Sequence, residues 1–527
     1  MEAEERQYEP HADEESHLLD HSQKHRHKSP AHLKRQLAII MLLQICSPIT
    51  SQSIYPYINQ LIREIGITGG DDRKVGYYAG LIESLFFVTE ALTVLQWSRI
   101  SDYIGRKPVL LLGMSGTIIS MLCFGLSRTF WELVVSRCFC GFLNGNIGVM
   151  KSIMGDLTDA SNRAEVYAYI PVVWGLGATL GPFLGGWLAR PHDRWPRAFS
   201  AQFWQDYPYF FPCLVTASYV VFAFLITAFF FRETLPTRHS LLARLKKHKK
   251  SKSRSSSYGS TDSPAPDPKD DPPALRELLT FPVVISIANY VALAFIENME
   301  LSLIPLFLAM PLEIGGLGLS PAQIGYVLGS YGVATSAFQA LLFARITRKL
   351  GARTVFVIGM ASFIPMTLGF PIMSVMARAW GGVTMGVWFM VGMLVLMLCV
   401  MDLAYGTIFM FVTASVPNQN ALGATNGVAQ TFVSISRAVG PAMVTSMYSY
   451  SLEHNILGGN AVYVVLLIMC VASIRLAFYL PPNNWDEMPE ESNETSALVE
   501  DTRAIAPDRI VGALEGDRAE DVAHRTE

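Results

Sequence analysis

The chain reads as an all-α membrane protein, with twelve transmembrane helices arranged as two pseudo-symmetric six-helix bundles. Three observations predict this. Of its 527 residues 51% are hydrophobic and only 16% charged, and the mean hydropathy is +0.30, which is more apolar surface than a soluble domain can hide. Apolar runs of about 20 residues, long enough for a hydrocarbon core of roughly 30 Å, recur along it. A basic, glycine-containing turn also occurs twice between apolar runs, first as Ser98-Arg-Ile-Ser-Asp102-Tyr-Ile-Gly105-Arg106-Lys107-Pro108 and later as Arg345-Ile-Thr-Arg348-Lys349-Leu-Gly351-Ala-Arg353. One loop type in corresponding places is what a duplicated membrane bundle leaves behind.

The first six runs lie near 36–57, 77–97, 108–127, 130–150, 166–189 and 208–231. A Lys-, Ser-, Pro- and Asp-rich break covers 232–280, and six more runs follow near 281–309, 322–344, 353–375, 386–415, 421–449 and 461–480. An unsatisfied backbone group in hydrocarbon costs several kcal/mol, so runs of this length are helices; barrel strands would be half as long and alternating. The domains expected are a disordered tail over 1–35, a six-helix bundle over 36–231, a linker over 232–280, a second bundle over 281–480 and an acidic tail over 481–527. No cleavable signal peptide is expected in the polar first 35 residues; the first apolar run directs insertion.

Charge sets orientation. With both termini inside, the turns at 98–107, 151–165 and 345–353 and the linker carry roughly twenty Lys and Arg, against roughly eight in the opposite loops, which places the basic side in the cytosol. The net charge of −3 resides in tails and loops and says little about partners. The linker run from Arg244 to Arg254 lies beside a membrane, where it hugs anionic lipid or obeys the orientation rule, and nucleic acid is not expected as a partner. Seven cysteines all fall inside apolar runs without zinc-ligand spacing, so they read as small buried apolar residues and no metal or cofactor is expected. Asn493-Glu-Thr495 is a glycosylation sequon on the cytosolic side, where it would not be used.

The first basic turn makes sense as a latch. Asp102 can accept from exposed amides at the start of a helix, Gly105 permits the tight turn, and Arg106 and Lys107 cap carbonyls or meet phosphates. In the fourth run Arg137 precedes Gly141, Asn144 and Gly145; a guanidinium there needs a wet cavity or an acid, and a structural ion pair gives the same signal. The fifth run holds Gly177, Gly181, Pro182, Gly185 and Gly186. Small residues at i, i+4 and i+8 make a flat stripe for close helix packing, and Pro182 removes a backbone bond, so the segment reads as a packing and hinge element.

Other ionisable groups inside the runs are Glu83, Glu90, Glu297, Glu300, Asp402, Arg437 and Arg475. Unpaired, each would cost at least a few kcal/mol, so they pair or line an aqueous path, with Arg475 snorkelling from a helix end. Glu83 and Glu90, two turns apart on one face, together with Arg137, Glu300 and Asp402, are the candidates for proton coupling; a salt bridge between halves produces the same sequence signal. Glu297, Asn144, Trp388, Tyr405 and Arg437 are candidates to line a cavity.

The first basic turn resembles the loop signature of the major facilitator superfamily, with Ser98 and Tyr103 where that family usually has Gly and Arg. The Arg137 segment resembles that family's fourth-helix motif, whose arginine is implied in proton coupling, and the Gly177–Gly186 stripe resembles its fifth-helix antiporter signature, which implies export. Further segments are Pro48, Tyr55-Pro56-Tyr57-Ile58-Asn59-Gln60, Gly80-Leu-Ile-Glu83-Ser, Asp156-Leu-Thr-Asp159-Ala-Ser-Asn-Arg163-Ala and His454-Asn-Ile-Leu-Gly458-Gly459. With these the chain resembles fungal drug:proton antiporter-like facilitators related to plant zinc-induced facilitators, and basidiomycete transporters of secondary-metabolite clusters such as those of psilocybin biosynthesis. The resemblance spans about residues 35–480. It implies the major facilitator fold and a secondary transporter that exports a small organic molecule in exchange for protons, with uptake, uniport and a non-transporting sensor as alternatives. An ATP-driven pump is disfavoured by the lack of a Gly-x-x-x-x-Gly-Lys-Ser/Thr loop, and an enzyme by the lack of His-Glu-x-x-His or Gly-x-Ser-x-Gly. The plasma membrane is the expected location; Glu14-Glu-Ser-His-Leu18-Leu19 fits an acidic dileucine signal and makes the vacuolar membrane the alternative.

Overall fold

The computed structural model describes residues 31–157, 163–234, 280–415 and 422–481. The dileucine segment, the sequon, the Arg244–Arg254 run and most of the Asp156–Arg163 turn lie outside them, as do residues 1–30 and 482–527 of the two tails, while 31–35 already belong to the first helix. Among the described residues every regular element is helical. In chain order these are α1 (Ala31–Gln52), α2 (Ile58–Ile65), α3 (Val75–Ile104), α4 (Arg106–Gly125), α5 (Phe130–Leu143), α6 (Asn146–Leu157), α7 (Arg163–Leu188), the short α8 (Pro191–Arg194) and α9 (Gln202–Asp206), and α10 (Phe210–Phe230). The later part gives α11 (Phe281–Ala309), α12 (Pro321–Phe338), a π-helical turn (Gln339–Phe343), α13 (Ala344–Leu350), α14 (Ala352–Ala361), α15 (Phe363–Ala379), α16 (Met385–Ala414), α17 (Leu422–Glu453) and α18 (Ala461–Ala477). Eight segments among the described residues are long and apolar enough by themselves to cross a membrane. The expected all-α membrane fold is the fold found.

Sequence and structure differ at three places in element layout. The fourth run, expected as one helix over 130–150, breaks after Leu143, where Asn144 leaves the helical region at φ −79° and ψ 56°. The break is held open by Trp97, whose indole N–H donates to the carbonyl of Phe142 at 2.7 Å and so satisfies a helix-end group. The first run ends at Gln52, with a turn before the separate α2, rather than running to 57. The ninth is divided by Ser362 into α14 and α15.

The chain forms two compact units. The first comprises the described residues of Met1–Ile54 and Leu92–Ser257, the second those of Tyr55–Ala91 and Tyr258–Glu527. These units differ from the sequence-derived halves over Tyr55–Ala91, which packs with the later helices. The reason is local. Gly80 is pressed against α17, where a Cβ would lie 2.9 Å from the carbonyl oxygen of Pro441 and 3.0 Å from Cα of Ala442. The amide of Ala442, next to Pro441, donates to Ser84 Oγ at 2.9 Å, so a helix irregularity made by proline is satisfied from α3.

In the first unit the core is built from Ile40, Leu43, Leu110, Ile153, Val220 and Phe231, contributed by α1, α4, α6 and α10 with the residue that follows it. The small-residue stripe of α7 lies against α1: Gly177 faces Pro48, Gly181 faces Gln52 and Ile49, and Gly185 faces the backbone of Ser53. Pro182 sits inside the continuous α7 without ending it. In the second unit aromatic rings fill the interior, with Phe307 against Phe370 at 5.0 Å and Phe370 stacked on Tyr463 at 5.6 Å. Five cysteines are buried as expected, whereas Cys123 is exposed and Cys138 half-buried, because those positions on α4 and α5 face outward.

The two basic turns share one geometry. Gly105 joins α3 to α4 with φ 105° and ψ 154°, and Gly351 joins α13 to α14 with φ 80° and ψ 150°, a left-handed φ that favours glycine. In each, the basic residue two positions after the glycine reaches the carbonyl end of its own unit's last long helix. Lys107 Nζ donates to the carbonyls of Ala228 and Phe231, both at 2.8 Å, and Arg353 Nη2 donates to that of Phe478 at 2.7 Å. Among the described residues, a carboxylate lies over the start of the second helix at the first turn alone. Glu233 accepts from the amides of Arg106 at 3.0 Å and Lys107 at 3.1 Å, as an anion does at a helix N-terminus.

Two stability outcomes follow. Gly185→Val forces a Cβ into the backbone of Ser53 and should cost about 1–3 kcal/mol, read as a lower apparent melting temperature of the detergent-purified protein. Gly392→Ala, where a Cβ meets nothing within 4 Å, should leave that midpoint unchanged or raised. Glu233→Ala should cost about 1 kcal/mol through the lost cap; an unaltered midpoint would remove Glu233 from the account of α4.

Candidate functional site

Among the described residues, a dense polar arrangement lies in the second unit, at the middle of α16. Asp402 is 8% exposed, and one carboxylate oxygen, Oδ2, accepts from two hydroxyls of α12: Tyr331 at 2.9 Å and Thr335 in a shorter contact. Gln339 Nε2 donates to the backbone carbonyl of Asp402 at 3.0 Å. One turn along α16 the Tyr405 hydroxyl donates to Glu297 on α11. Arg437, on α17, is close enough for electrostatic interaction with Tyr405, Tyr290, Glu297 and Glu90 of α3. Tyr290, Tyr405 and Phe409 form an aromatic wall, with centroids 5.2 Å apart for Tyr290 and Phe409 and 6.3 Å for Tyr290 and Tyr405.

The helices place these groups by simple periodicity. Asp402 and Tyr405 are three residues apart on α16, so their side chains lie on one side of it, towards α11 and α12. Tyr331, Thr335 and Gln339 follow at i, i+4 and i+8, a polar stripe on an otherwise apolar segment. Buried Asp402 is thereby given two hydroxyl donors and half-buried Glu297 one, as a charge or acid in a low-dielectric interior requires.

Of the residues singled out from sequence, Glu297, Asp402, Tyr405 and Arg437 come together here. Glu300, one turn from Glu297, does not join them. Three residues turn a helix by about 300°, which aims Glu300 some 60° away. It is fully buried against α15, where Thr367 Oγ1 donates to it at 2.6 Å. Trp388 is also separate, on α16 but about 21 Å from Asp402 along the helix axis. Glu83 accepts from the Tyr55 hydroxyl, and Glu90 lies on the same helix.

Arg137 and Asn144, each 7% exposed, belong to the first unit, in and at the end of α5. The side chain of Asp102 lies outside the described ones, while Gly105, Arg106 and Lys107 occupy the turn over Glu233 described above. Gly177, Gly181, Pro182, Gly185 and Gly186 are on α7 in the first unit, the three stripe glycines against α1. Arg475 is exposed near the end of α18. Sequence reasoning missed Tyr331, Thr335, Gln339 and Glu233. The i, i+4, i+8 polar stripe could have revealed the first three; nothing in local spacing links Glu233 to a turn more than a hundred residues earlier.

Comparison with known proteins agrees with this architecture. A family model described as Major Facilitator Superfamily matches residues 40–441. The chain is 30% identical over 473 residues to the major facilitator-type transporter psiT2 of Psilocybe cyanescens, covering 84% of this chain and 89% of that one. It is 28% identical over 481 residues to the major facilitator superfamily multidrug transporter mfsB of Aspergillus fumigatus, covering 80% and 79%. Among solved structures, a D-xylose-proton symporter superposes with a TM-score of 0.61 at 14% identity, covering 85% of this chain and 97% of that one, a likeness of fold. A family match across most of the chain, together with a relative aligned along most of both sequences, establishes that this integral membrane protein belongs to the Major Facilitator Superfamily, whose members are transporters and not enzymes.

Proposed function

We propose that this chain exports a small organic molecule, a secondary metabolite or drug-like compound, in exchange for protons, by alternating access between two six-helix halves. The observation that carries the reading is the Glu297–Tyr405–Asp402–Arg437 arrangement. Two carboxyl groups lie near one another, one of them in the field of a guanidinium, against an aromatic wall and inside apolar helices. Acids kept there at a desolvation cost mark ion or substrate pathways. Because a proton and a cargo molecule draw on the same two carboxyls, occupation by one displaces the other, which is the requirement for exchange. The relatives support a drug-like cargo: one is by name a multidrug transporter.

Glu83, Glu90 and Arg137 are proposed to carry or bias protons along the path, and Glu300 to do so from its own buried position. Asn144 and Trp388 stay as proposed cavity residues away from the carboxyl pair. Asp102, Gly105, Arg106 and Lys107 are proposed to latch the cytosolic side, with the α7 stripe as the hinge. Both termini are assigned to the cytosol and the protein to the plasma membrane, with the vacuolar membrane as the alternative; lipid, the cargo and protons are its partners.

The reading is tested by flux. Inside-out proteoliposomes with an imposed acidic interior should accumulate members of an aromatic amine panel, tryptamine among them, and accumulation should collapse when the gradient is dissipated. Equilibration that ignores the gradient would make the protein a uniporter, and binding without accumulation a sensor. In the same assay Glu297→Gln and Asp402→Asn should each reduce gradient-driven accumulation to the level of protein-free liposomes. Wild-type accumulation in both variants would remove the carboxyl pair from coupling.

A further inference from the structure

The contacts around Asp402 are more specific than burial of an acid demands. A carboxylate needs donors, yet here both side-chain donors converge on one oxygen. The Tyr331 and Thr335 hydroxyls each donate to Oδ2, and Gln339, the next residue of the same stripe, takes the Asp402 backbone carbonyl. Gln339 opens the π-helical turn, and Phe343, which closes it, has its ring against Gly406, one turn along α16 from Asp402. A Cβ at Gly406 would lie 3.1 Å from Phe343 Cε1 and closer still to other ring atoms, so the ring occupies the space that the glycine leaves. The π turn therefore fixes α12 on α16 at Asp402 and one turn beyond it, through a hydrogen bond to the Asp402 carbonyl and a glycine-ring contact at Gly406. Single π turns inside helices recur at functional sites, where they re-aim side chains.

From this geometry we propose that Tyr331 and Thr335 are positioning residues for Asp402. Together with the π turn they hold its carboxyl group in one orientation and set the pH range over which it takes up and releases a proton. The proposal rests on the reading that Asp402 exchanges protons. The chemistry is direct: hydroxyl donors aimed at a carboxylate oxygen interact differently with the ionised and the protonated group, so removing one alters the balance between the two forms. The other titratable or charged groups around Asp402 are Glu297 on α11, Arg437 on α17 beside Glu297, and Cys399 and Tyr405 on α16 itself. On α14 and α15, which also pack on α16, the charged residues are Arg353 and Arg378, and their heads bond the carbonyls of Phe478 and Ser374 instead.

Infrared titration of the full-length protein in lipid nanodiscs tests this without any cargo. The carboxylic acid C=O stretch is followed against pH, and the component that disappears in Asp402→Asn is assigned to Asp402. Thr335→Val and Tyr331→Phe, each lacking one donor, should move the midpoint of that component by about one pH unit, whereas Thr335→Ser, which restores a hydroxyl, should titrate as wild type. Midpoints in Thr335→Val and Tyr331→Phe equal to wild type would overturn the positioning role while leaving proton exchange at Asp402 intact. A wild-type spectrum with no pH-dependent component lost in Asp402→Asn would overturn proton exchange itself, and the positioning role with it. Should Thr335→Val fail to give monodisperse protein, Tyr331→Phe decides alone, since it deletes a single oxygen from a ring that stays in place.

Discussion

What the rest of this structure depends on is the cost of leaving a polar group without a partner where water is scarce. A backbone amide, a hydroxyl or a carboxyl inside a membrane helix has only the protein to bond with. The layout of this chain meets that requirement at several key places. Ala442 N–H, next to a proline, finds Ser84 Oγ; Glu300 finds Thr367; the carbonyls that end α10 find Lys107. None of these pairs is close in sequence, so each one also ties two helices together. Partnering buried polar groups and packing the units are thus one constraint met twice.

The same constraint explains the duplicated turn. A helix ending at a membrane surface leaves carbonyls unsatisfied, and a lysine or arginine nearby both bonds them and complements the negative end of the helix dipole. Lys107 and Arg353 do this at equivalent positions, two residues after glycines in nearly the same backbone conformation. The repeat therefore survives in backbone angles and in contacts even where side chains have diverged from lysine to arginine. Glu233 marks where the two turns part. Its carboxylate sits over the amides that open α4, a feature that no described residue repeats at the second turn, where Tyr479, Leu480 and Pro481 follow the partner helix.

The fold was legible because the signals for it are local. Hydropathy runs gave the helices, Lys and Arg gave the proposed orientation, and Gly105 and Gly351 gave the turns. The small-residue stripe of α7 was also readable as a packing face, since Gly177, Gly181 and Gly185 can serve little else at that spacing. What sequence concealed was which neighbour each face meets. Residues 55–91 lie early in the chain yet pack with the later helices, because Gly76 and Gly80 fit α17. The break at Asn144 depends on Trp97, nearly fifty residues away, and the donors to Asp402 come from α12, some seventy residues earlier. Site residues carrying charge were found because charge is conspicuous in an apolar run; the hydroxyls that hold Asp402 were not, because Ser, Thr and Tyr are common there.

Glu297 and Glu300 show why charge alone underdetermines function. In sequence they are alike, two glutamates one turn apart on an apolar helix. About 60° of rotation separates their directions, and that angle sends one towards Tyr405 and the field of Arg437 and the other into an enclosed contact with Thr367. A group that exchanges protons with two sides of a membrane has to be reached from them. Glu297, half-buried beside a guanidinium, meets that requirement more readily than Glu300, which has no exposed surface. In the proposed exchange Glu300 acts through movement of α11 against α15, whereas Glu297 and Asp402 are the acids proposed to respond to cargo directly. The division of labour among the acids is thus set by helix geometry before any difference in their chemistry enters.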